Sequence, residues 1–600
     1  MKLLTTDNLR MQQPASFYKI QLKSHKTTLS TLKKKLNLSS SVRLLLFIGI
    51  GVMVYFTFNT PKLAGVIAIA GIAFFLFLVT RHAKLKLQRD LTKALIAINT
   101  KELQALEGIY QNFPDGNQFY NPEHFYSQDI DLFGRGSFYQ YANRTALESG
   151  AQVFADTLLA NDIDHIPEKQ EAIKELSNLP EWRQRFSAIA SLVKTEIPAG
   201  DVVSWLDNYK PFTPKHIKTI ARIFGILSVL ICALYGFSII SGYWVFVIFG
   251  LGLFISARFM GKVSMLHNKA SEVQTTFQQY AQLLFEIEEQ EFLSSTLSRK
   301  RKKIISTDRS SSGILKKFSR YLDALDQRNN VLVAVFVNGF FLRDLIIASN
   351  IEQWIKTYGQ DAEVWFETIA FFDGYNSLGN YAFNHPEHTY PEITDSKTTI
   401  HATEAVHPLL KATTAVPNDI AINRNEFFII TGANMAGKST FLRTVALQIV
   451  MANAGLPVRA TATTYTPIKL ITSMRTTDSL TDDESYFFSE LKRLKFIVDA
   501  IKEDEYFIIL DEILKGTNST DKATGSRKFV DKLVQGGATG IIATHDLSLC
   551  EASETLPEVT NYYFDAQIID DELFFDYTFK KGICQNMNAS FLLKKMEIVD

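Results

Sequence analysis

The sequence predicts a multidomain protein that combines an α-helical body, a carboxy-terminal α/β domain built around a phosphate-binding loop, and four transmembrane helices in two hairpins. Three observations lead to this fold class. The chain has 600 residues, which is too many for one hydrophobic core. Four apolar runs without charge occur in two pairs, and a glycine-rich loop joins an apolar strand to a helix in the last third of the chain.

The charge balance and the cysteines limit which partners and which cellular compartment the sequence favours. Lys plus Arg and Asp plus Glu both number 63. A neutral chain has no overall attraction to nucleic acid, so any basic surface must be local. Cys232, Cys550 and Cys584 lie far apart, without the spacing of metal ligands. They fit a reducing compartment and argue against a disulfide framework.

The apolar runs cover residues 44–58 and 63–79, then 223–240 and 243–257. Each holds about 15–18 residues, slightly short of the roughly 20 that span a bilayer core. Two uncharged pairs with short Gly- or Pro-containing turns favour membrane hairpins, and a buried core hairpin is the alternative.

Basic residues flank both pairs, whereas the short turns between the runs contain only Lys62. By the positive-inside tendency, both hairpins enter and leave on the cytoplasmic face. No signal peptide is expected, because the first apolar run starts late and lacks a small-residue cleavage pattern. We therefore expect a multi-pass protein of the inner or plasma membrane, with its phosphate-binding domain in the cytoplasm.

The phosphate-binding loop follows the apolar strand "EFFIIT" and has the pattern G-x-x-x-x-G-K-[ST]. Its backbone N–H groups surround phosphates, Lys438 neutralises the β and γ phosphates, and the Ser439 hydroxyl ligates Mg²⁺. A helix from about residue 438 to 452 adds its dipole. The predicted ATP-binding residues of the loop are Gly432, Ala433, Asn434, Met435, Ala436, Gly437, Lys438, Ser439 and Thr440.

Two further strands end in polar residues. "YFIILDE" places Asp511 where it would hold Mg²⁺ together with Ser439, and Glu512 where it would polarise the attacking water. "GIIATHD" places His545 at a strand end, where ligands of open α/β sheets bind. There it would sense the γ-phosphate or position water, and a purely structural histidine is the alternative.

These segments resemble the MutS family of DNA mismatch-repair proteins. The family's loop reads T-G-P-N-M-G-G-K-S-T, and this one reads T-G-A-N-M-A-G-K-S-T. "VHPLL" before the loop, "DEILKGTNSTD" after it and the closing "YTFKKGICQNMNASFLLKKM" are similar as well, and residues 129–159 and 354–393 resemble the family's helical core and lever. The resemblance implies an ABC-type ATPase domain and a homodimer that ATP binding closes and hydrolysis reopens.

The chain also departs from the family. The mismatch-sensing domain with its Phe-x-Glu wedge has no counterpart, and the DNA-gripping clamp is missing or very short. Family dimers complete each ATP site with a partner serine at a helix amino terminus. The counterpart here is Ser485, but the neighbouring acids Asp482, Asp483 and Glu484 would repel a γ-phosphate.

The densest basic run, "RKRKK" at residues 299–303, has three interpretations: a solvated loop, contact with anionic lipid, or contact with DNA phosphates. No interleaved aromatic residues indicate base stacking, so sequence-specific recognition has no support.

Two functions follow as hypotheses. The first is a membrane-tethered MutS-like ATPase that binds DNA, mismatched or branched, at a site not located. The alternative is a membrane mechano-ATPase in transport or envelope assembly without DNA. An ABC transporter domain fits less well, because L-S-G-G-Q is absent.

We divide the chain into a basic cytoplasmic tail (1–43), a first transmembrane hairpin (44–80), a first part of the MutS-like core (81–222), a second transmembrane hairpin (223–257), the core return and lever (258–395) and the P-loop ATPase domain (396–600).

Overall fold

The computed structural model describes residues 14–193, 198–305, 310–329, 331–433, 435–475, 486–569 and 572–585. Its helices are α1 Pro14–Phe56, α2 Pro61–Leu106, α3 Phe138–Ala142, α4 Glu148–Leu159, α5 Ile166–Ser177, α6 Pro180–Ala190, α7 Ala199–Asp207, α8 Ile217–Gly236, α9 Tyr243–Glu289, α10 Ser295–Ile304, α11 Ser311–Asp326, α12 Val331–Phe341, α13 Arg343–Tyr358, α14 Asp361–Asn384, α15 Lys438–Asn453, α16 Tyr486–Ala500, α17 Ser519–Gln535 and α18 Ala552–Thr555. Its strands are β1 Glu392–Ile393, β2 Thr398–Ala405, β3 Asn418–Asn423, β4 Phe427–Gly432, β5 Ala462–Tyr465, β6 Lys469–Ser473, β7 Tyr506–Asp511, β8 Thr539–Ala543, β9 Val559–Phe564, β10 Ala566–Ile569, β11 Glu572–Phe575 and β12 Lys580–Lys581.

The four apolar runs lie in α1, α2, α8 and α9, except that residues 57–58 and 237–240 follow the ends of α1 and α8. Within the described residues, these four helices are long and apolar enough to cross a membrane, and the bent pair α12 and α13 adds a fifth if it is counted as one span. α1 and α2 pair as one hairpin, and α8 and α9 pair as another. α1 begins at Pro14, so the described part of the basic segment before residue 44 is helical and continuous with the apolar run.

A third apolar element, α12, accompanies the second hairpin and is absent from the sequence prediction. It packs against α8 and α9. The helices approach closely where Gly252 of α9 faces Gly339 of α12, since a Cβ built on Gly252 would lie 2.0 Å from the Gly339 carbonyl oxygen. Small residues allow such close helix contacts in apolar surroundings.

The helical body is formed by chain segments on both sides of the second hairpin. α3 to α7 precede α8, and α10 to α14 follow α9. Most residues of α14 are buried, and its neighbours include α4, α5 and α6. A helix that is apolar on most sides is typical of a protein core. α14 then leads directly to β1 and the carboxy-terminal domain.

The basic run at residues 299–303 lies in α10 and is helical rather than a loop. Two of its side chains contact the body. Arg301 donates hydrogen bonds to the backbone carbonyl of Glu288, and the Lys300 ammonium lies 4.8 Å from the centre of the Phe371 ring. The other three basic residues are exposed.

The carboxy-terminal domain is α/β, as predicted. Its main sheet has the order β12-β9-β4-β8-β7-β6, in which β9, β4, β8, β7 and β6 run parallel and β12 is antiparallel. A second sheet has the order β1-β5-β2-β3. Because β4, β8 and β7 are neighbours and parallel, their carboxyl ends meet at one edge of the sheet, where open α/β sheets bind ligands.

Candidate nucleotide-binding site

The loop between β4 and α15 depends on two glycines with left-handed backbone. Gly432 has φ of 143° and Gly437 has φ of 106°. A Cβ on Gly432 would lie 2.5 Å from the Phe564 carbonyl oxygen of the neighbouring strand, so only glycine fits there. The non-glycine residue Met435 also has positive φ and is exposed at the tip of the loop.

Lys438 folds back over this loop. Its Nζ donates hydrogen bonds to the carbonyl oxygens of Gly432, at 2.7 Å, and Ala433, at 3.0 Å. The Nε2 atom of His545 lies 3.4 Å from the same Nζ. Burial lowers the pKa of Lys438. Burial and the Lys438 charge also lower the pKa of His545, which favours a neutral imidazole beside the ammonium.

Ser439 and Asp511 form an oxygen pair at the start of α15. The Ser439 hydroxyl donates a hydrogen bond of 2.7 Å to Asp511 Oδ2. A hydroxyl and a carboxylate are oxygen ligands of the kind that Mg²⁺ prefers, and the two atoms are already close. Ser439 of α15 and Asp511 of β7 would therefore supply oxygen ligands to a magnesium ion.

Glu512 follows β7 with a left-handed φ of 54°, and its backbone N–H donates to the Ala543 carbonyl at 2.9 Å. Its Oε1 accepts a hydrogen bond from Lys522 Nζ at 2.9 Å, and Lys515 Nζ lies 4.0 Å from Oε2. Burial acts to raise the pKa of Glu512, but the hydrogen bond and charge of Lys522 take it below its ordinary value. Glu512 is therefore ionised at neutral pH.

Glu490 of α16 holds the turn after Glu512. Its buried carboxylate accepts hydrogen bonds from the backbone N–H of Leu514, at 2.5 Å, and of Lys515, at 3.1 Å. Leu514 has a left-handed φ of 59°, which is unfavourable for a branched side chain. This positioning role of Glu490 was not predicted from the sequence.

One open cavity of about 730 Å³ collects these side chains. The sequence-predicted residues on its wall are Ala433, Met435, Gly437, Lys438, Ser439, Thr440, Asp511, Glu512 and His545. Gly432 and Ala436 belong to the same loop but are not on the wall. Asn434 and Ser485 lie outside the described residues, so their predicted contacts stay predictions.

Sequence reasoning assigned no role here to several other residues of the wall, including His407, Asn418, Lys515 and Tyr577. Asn418 joins β3 to the closing segment, because its Nδ2 donates to the Tyr577 carbonyl at 3.0 Å and its Oδ1 accepts from the Phe579 N–H at 2.6 Å. Burial and two arginines lower the pKa of His407 to about 4. The resemblance to the family had indicated the His-Pro segment and the closing segment, but it predicted no contact between either segment and the phosphate-binding loop.

The helix that starts at the loop also contacts the helical body. Arg443 of α15 donates to the Asp129 carbonyl at 3.2 Å and lies 3.3 Å from the Asp131 carboxylate. Arg475, after β6, donates its backbone N–H to Asp129 Oδ1 at 2.8 Å and pairs with Asp131 at 2.6 Å. Residues 129–131 therefore connect α15 and the segment after β6 to the body.

Comparison with known proteins agrees with this geometry. Residues 428–596 match the family model described as MutS domain V. The chain is 32% identical over 212 residues to DNA mismatch repair protein MutS 2 of Halobacterium salinarum, covering 34% of this chain and 24% of that protein.

Two other relatives give the same result. MutS protein homolog 4 of Homo sapiens is 29% identical over 243 residues, 39% of this chain and 25% of that protein. DNA mismatch repair protein MutS of Methanosarcina mazei is 31% identical over 239 residues, 38% of this chain and 26% of that protein. The matched part thus spans about a quarter of the length of these curated relatives. These matches place residues 428–596, the carboxy-terminal domain, in the MutS family.

Proposed function

We propose that this protein is an ATP-hydrolysing MutS-family ATPase anchored in the membrane, whose nucleotide cycle closes and reopens a homodimer and moves the helical body. One observation carries the proposal. Lys438, Ser439, Asp511, Glu512 and His545 come from three neighbouring strand ends and converge on a single cavity. This set contains a phosphate cation, a pair of metal ligands and a carboxylate base.

The residues divide the work as follows. Lys438 exchanges the carbonyls of Gly432 and Ala433 for phosphate oxygens, which better match its charge. Ser439 and Asp511 would hold Mg²⁺, which neutralises charge on the transferred phosphoryl group. Glu512, kept ionised by Lys522, orients the attacking water and accepts its proton. His545 lies beside Lys438 and would respond to the γ-phosphate.

The anchor is proposed for α1, α2, α8 and α9. Their apolar runs carry exposed large side chains, including Leu45, Phe47, Ile69 and Phe246. Exposed apolar surface of this extent needs an apolar environment. With the basic flanks, this supports a multi-pass arrangement in the inner or plasma membrane, contact with membrane lipid, and a cytoplasmic nucleotide site.

Movement of the body is proposed to start at α15. This helix begins at the phosphate-binding loop and contacts Asp129 and Asp131 of the body through Arg443. A change in the loop would therefore reach the body through one rigid helix. Closure of a homodimer and completion of the site by Ser485 of a second copy are further parts of the proposal.

DNA is the first candidate for what the cycle acts on, because two of the relatives described above are named DNA mismatch repair proteins. A membrane mechano-ATPase without DNA is the second candidate. It is favoured by the contacts of Lys300 and Arg301 with the body, which take two cations of the basic run away from any phosphate backbone.

ATP turnover of the full chain in detergent tests the proposal. We expect Mg²⁺-dependent hydrolysis that Glu512→Gln slows by about 10²–10⁴-fold while ATP still binds. Stimulation by mismatched or branched duplexes that weakens steeply with salt would support the DNA candidate, and turnover indifferent to every duplex would support the second. Absence of ATP binding, or release from membranes by an alkaline wash, would overturn the proposal.

A further inference from the structure

The turn between α14 and β1 contains a compact group of metal-binding residue types. His385, Glu387 and His388 lie within four positions, and the backbone N–H of His388 donates to the His385 carbonyl at 3.1 Å to close the turn. Within the described residues, these three form the one group of at least three potential metal ligands with converging donor atoms, which all lie within 4.8 Å of one another.

The donor atoms converge on the carboxylate. His385 Nδ1 lies 3.2 Å from Glu387 Oε1, and His388 Nε2 lies 3.4 Å from the same oxygen. The two imidazole rings are nearly parallel, with centroids 4.4 Å apart and an interplanar angle of 10°. Both histidines therefore direct one nitrogen toward the same small volume.

In each histidine, the ring nitrogen that does not face Glu387 lies beside a tyrosine of the helical body. The hydroxyl of Tyr141, in α3, lies 2.7 Å from His385 Nε2, and the hydroxyl of Tyr381, in α14, lies 3.2 Å from His388 Nδ1. A metal-binding histidine usually donates its other ring N–H to an oxygen, which fixes the tautomer and the ring orientation. These tyrosines provide such an acceptor for each ring.

Burial differs across the group in a way that suits ion capture. The His388 side chain is 2% exposed and that of Glu387 is 64% exposed. The imidazoles are thus fixed by the protein, while the carboxylate can swing toward an ion that arrives from solvent. Open coordination positions would face water.

We propose that His385, Glu387 and His388 bind a divalent transition-metal ion, with Zn²⁺ as the best match. Two imidazoles and one carboxylate form a donor set typical of Zn²⁺, whereas the oxygen pair Ser439 and Asp511 suits Mg²⁺. The two cation sites are therefore chemically distinct, and this one does not depend on ATP hydrolysis.

The bound ion would stiffen the joint between the body and the nucleotide domain. The backbone of Thr389, directly after the group, exchanges hydrogen bonds of 2.9 and 2.8 Å with that of Val458, which follows α15. The histidines contact α3 and the end of α14 through the two tyrosines. A bound ion would thereby connect these two helices to the segment that follows α15.

The test uses the full chain in detergent, stripped of metal with a chelator and then titrated with Co²⁺ and with Zn²⁺. We expect one tightly bound equivalent, measured by elemental analysis, and visible Co²⁺ absorption that Zn²⁺ removes. Glu387→Gln, at an exposed position, keeps the fold and lowers affinity. Tyr141→Phe leaves all three ligands in place and should weaken binding by about 10–100-fold.

The double variant His385→Ala/His388→Ala should lose the equivalent and the spectrum. The matched control is His165→Ala, because His165 also lies near a glutamate, Glu168 at 3.4 Å, but does not belong to the three-ligand group. Lys438→Met should leave the Co²⁺ spectrum unchanged. Binding that survives the double variant, or no equivalent bound by the unsubstituted chain, would overturn the inference.

Discussion

The molecule contains two polar clusters that are built in opposite ways. Beside the nucleotide cavity, Glu512 is held by Lys522, a partner that it can exchange, and the Lys522 and Glu512 side chains are 21% and 28% exposed. At the inner ends of α1 and α2, Glu102 pairs with Arg144 at 2.6 Å, with side chains 2% and 10% exposed.

The second cluster extends this pair across several helices. Asn384 donates to Glu102 at 2.9 Å and accepts from the Tyr18 hydroxyl at 2.7 Å. These contacts join both helices of the first hairpin to the carboxyl end of α14, beside the nucleotide domain. A cluster open to solvent can change partners when a ligand binds, whereas a buried, paired cluster holds its elements in one arrangement.

The largest expected effect is a loss of ATP affinity on substitution of Lys438, in the cluster around the nucleotide cavity. Lys438→Met keeps the length of the side chain but removes its charge, so we expect ATP affinity to fall by about 10²–10³-fold. The free energy of unfolding should change by no more than about 1 kcal/mol, because only hydrogen bonds to loop carbonyls are lost. Binding of a fluorescent ATP analogue and denaturant unfolding in detergent measure the two effects.

The control for this variant is Lys411→Met, at an exposed lysine of a neighbouring loop, which should bind ATP normally. If Lys438→Met binds ATP as tightly as the unsubstituted chain, the cavity is not the nucleotide site.

The next largest effect is a loss of folding stability on substitution of Glu102, in the buried cluster. Glu102→Gln leaves Arg144 without its carboxylate, and removal of one partner of a buried ion pair costs about 3–5 kcal/mol. Arg144 keeps hydrogen bonds to the carbonyls of Tyr141 and Asn143, at 2.7 and 2.8 Å, so a value near the lower end is expected. The unfolding midpoint in denaturant reports the loss.

A matched exposed pair sharpens this result. Lys269 and Glu272 lie 2.8 Å apart with side chains more than half exposed. Glu272→Gln should therefore cost less than about 1 kcal/mol. Equal losses for Glu102→Gln and Glu272→Gln would contradict the distinction between a fixed and an exchangeable cluster.

A smaller loss of stability is expected on removal of the hydrogen bond that joins α1 to α14. Tyr18→Phe keeps the buried ring and removes the hydroxyl that Asn384 accepts, at an expected cost of about 1–2 kcal/mol. Tyr120→Phe, at a half-exposed position, is the control and should fall within about 0.5 kcal/mol of the unsubstituted chain. A neutral Tyr18→Phe would show that the amino-terminal half of α1 is not held by this bond.

The two clusters also differ in how far the sequence could predict them. The loop residues are contiguous, Asp511 ends the apolar strand β7, and His545 lies two residues after the apolar strand β8. Because β4, β8 and β7 are neighbours in a parallel sheet, these residues lie close together. The helical body and the α/β domain were predicted correctly for the same reason, since local pattern determines both. The resemblance of the carboxy-terminal domain to the MutS family is confirmed by the match to residues 428–596.

Long-range pairs left no local signal. Arg443 and Asp129, or Glu102 and Asn384, are hundreds of positions apart, and only the folded body brings them together. The start of α1 was missed because its buried residues, Phe17 and Tyr18, lie among polar neighbours. α12 was missed because its apolar run is shorter than a membrane span, although "VLVAVFVNGFF" is uncharged.

The smallest effect concerns the exchangeable partner of Glu512. Lys522→Met removes the hydrogen bond and charge that hold the pKa of Glu512 below its ordinary value, leaving burial, which raises it. If ionised Glu512 activates water, turnover falls as pH drops through this pKa. The acid limb of the pH–rate profile should therefore move to higher pH, with little change at neutral pH. Lys528→Met, at an exposed lysine of the same helix, should leave the limb in place. An acid limb that stays fixed in Lys522→Met would mean that Glu512 does not control it, and that the open cluster sets turnover through another group.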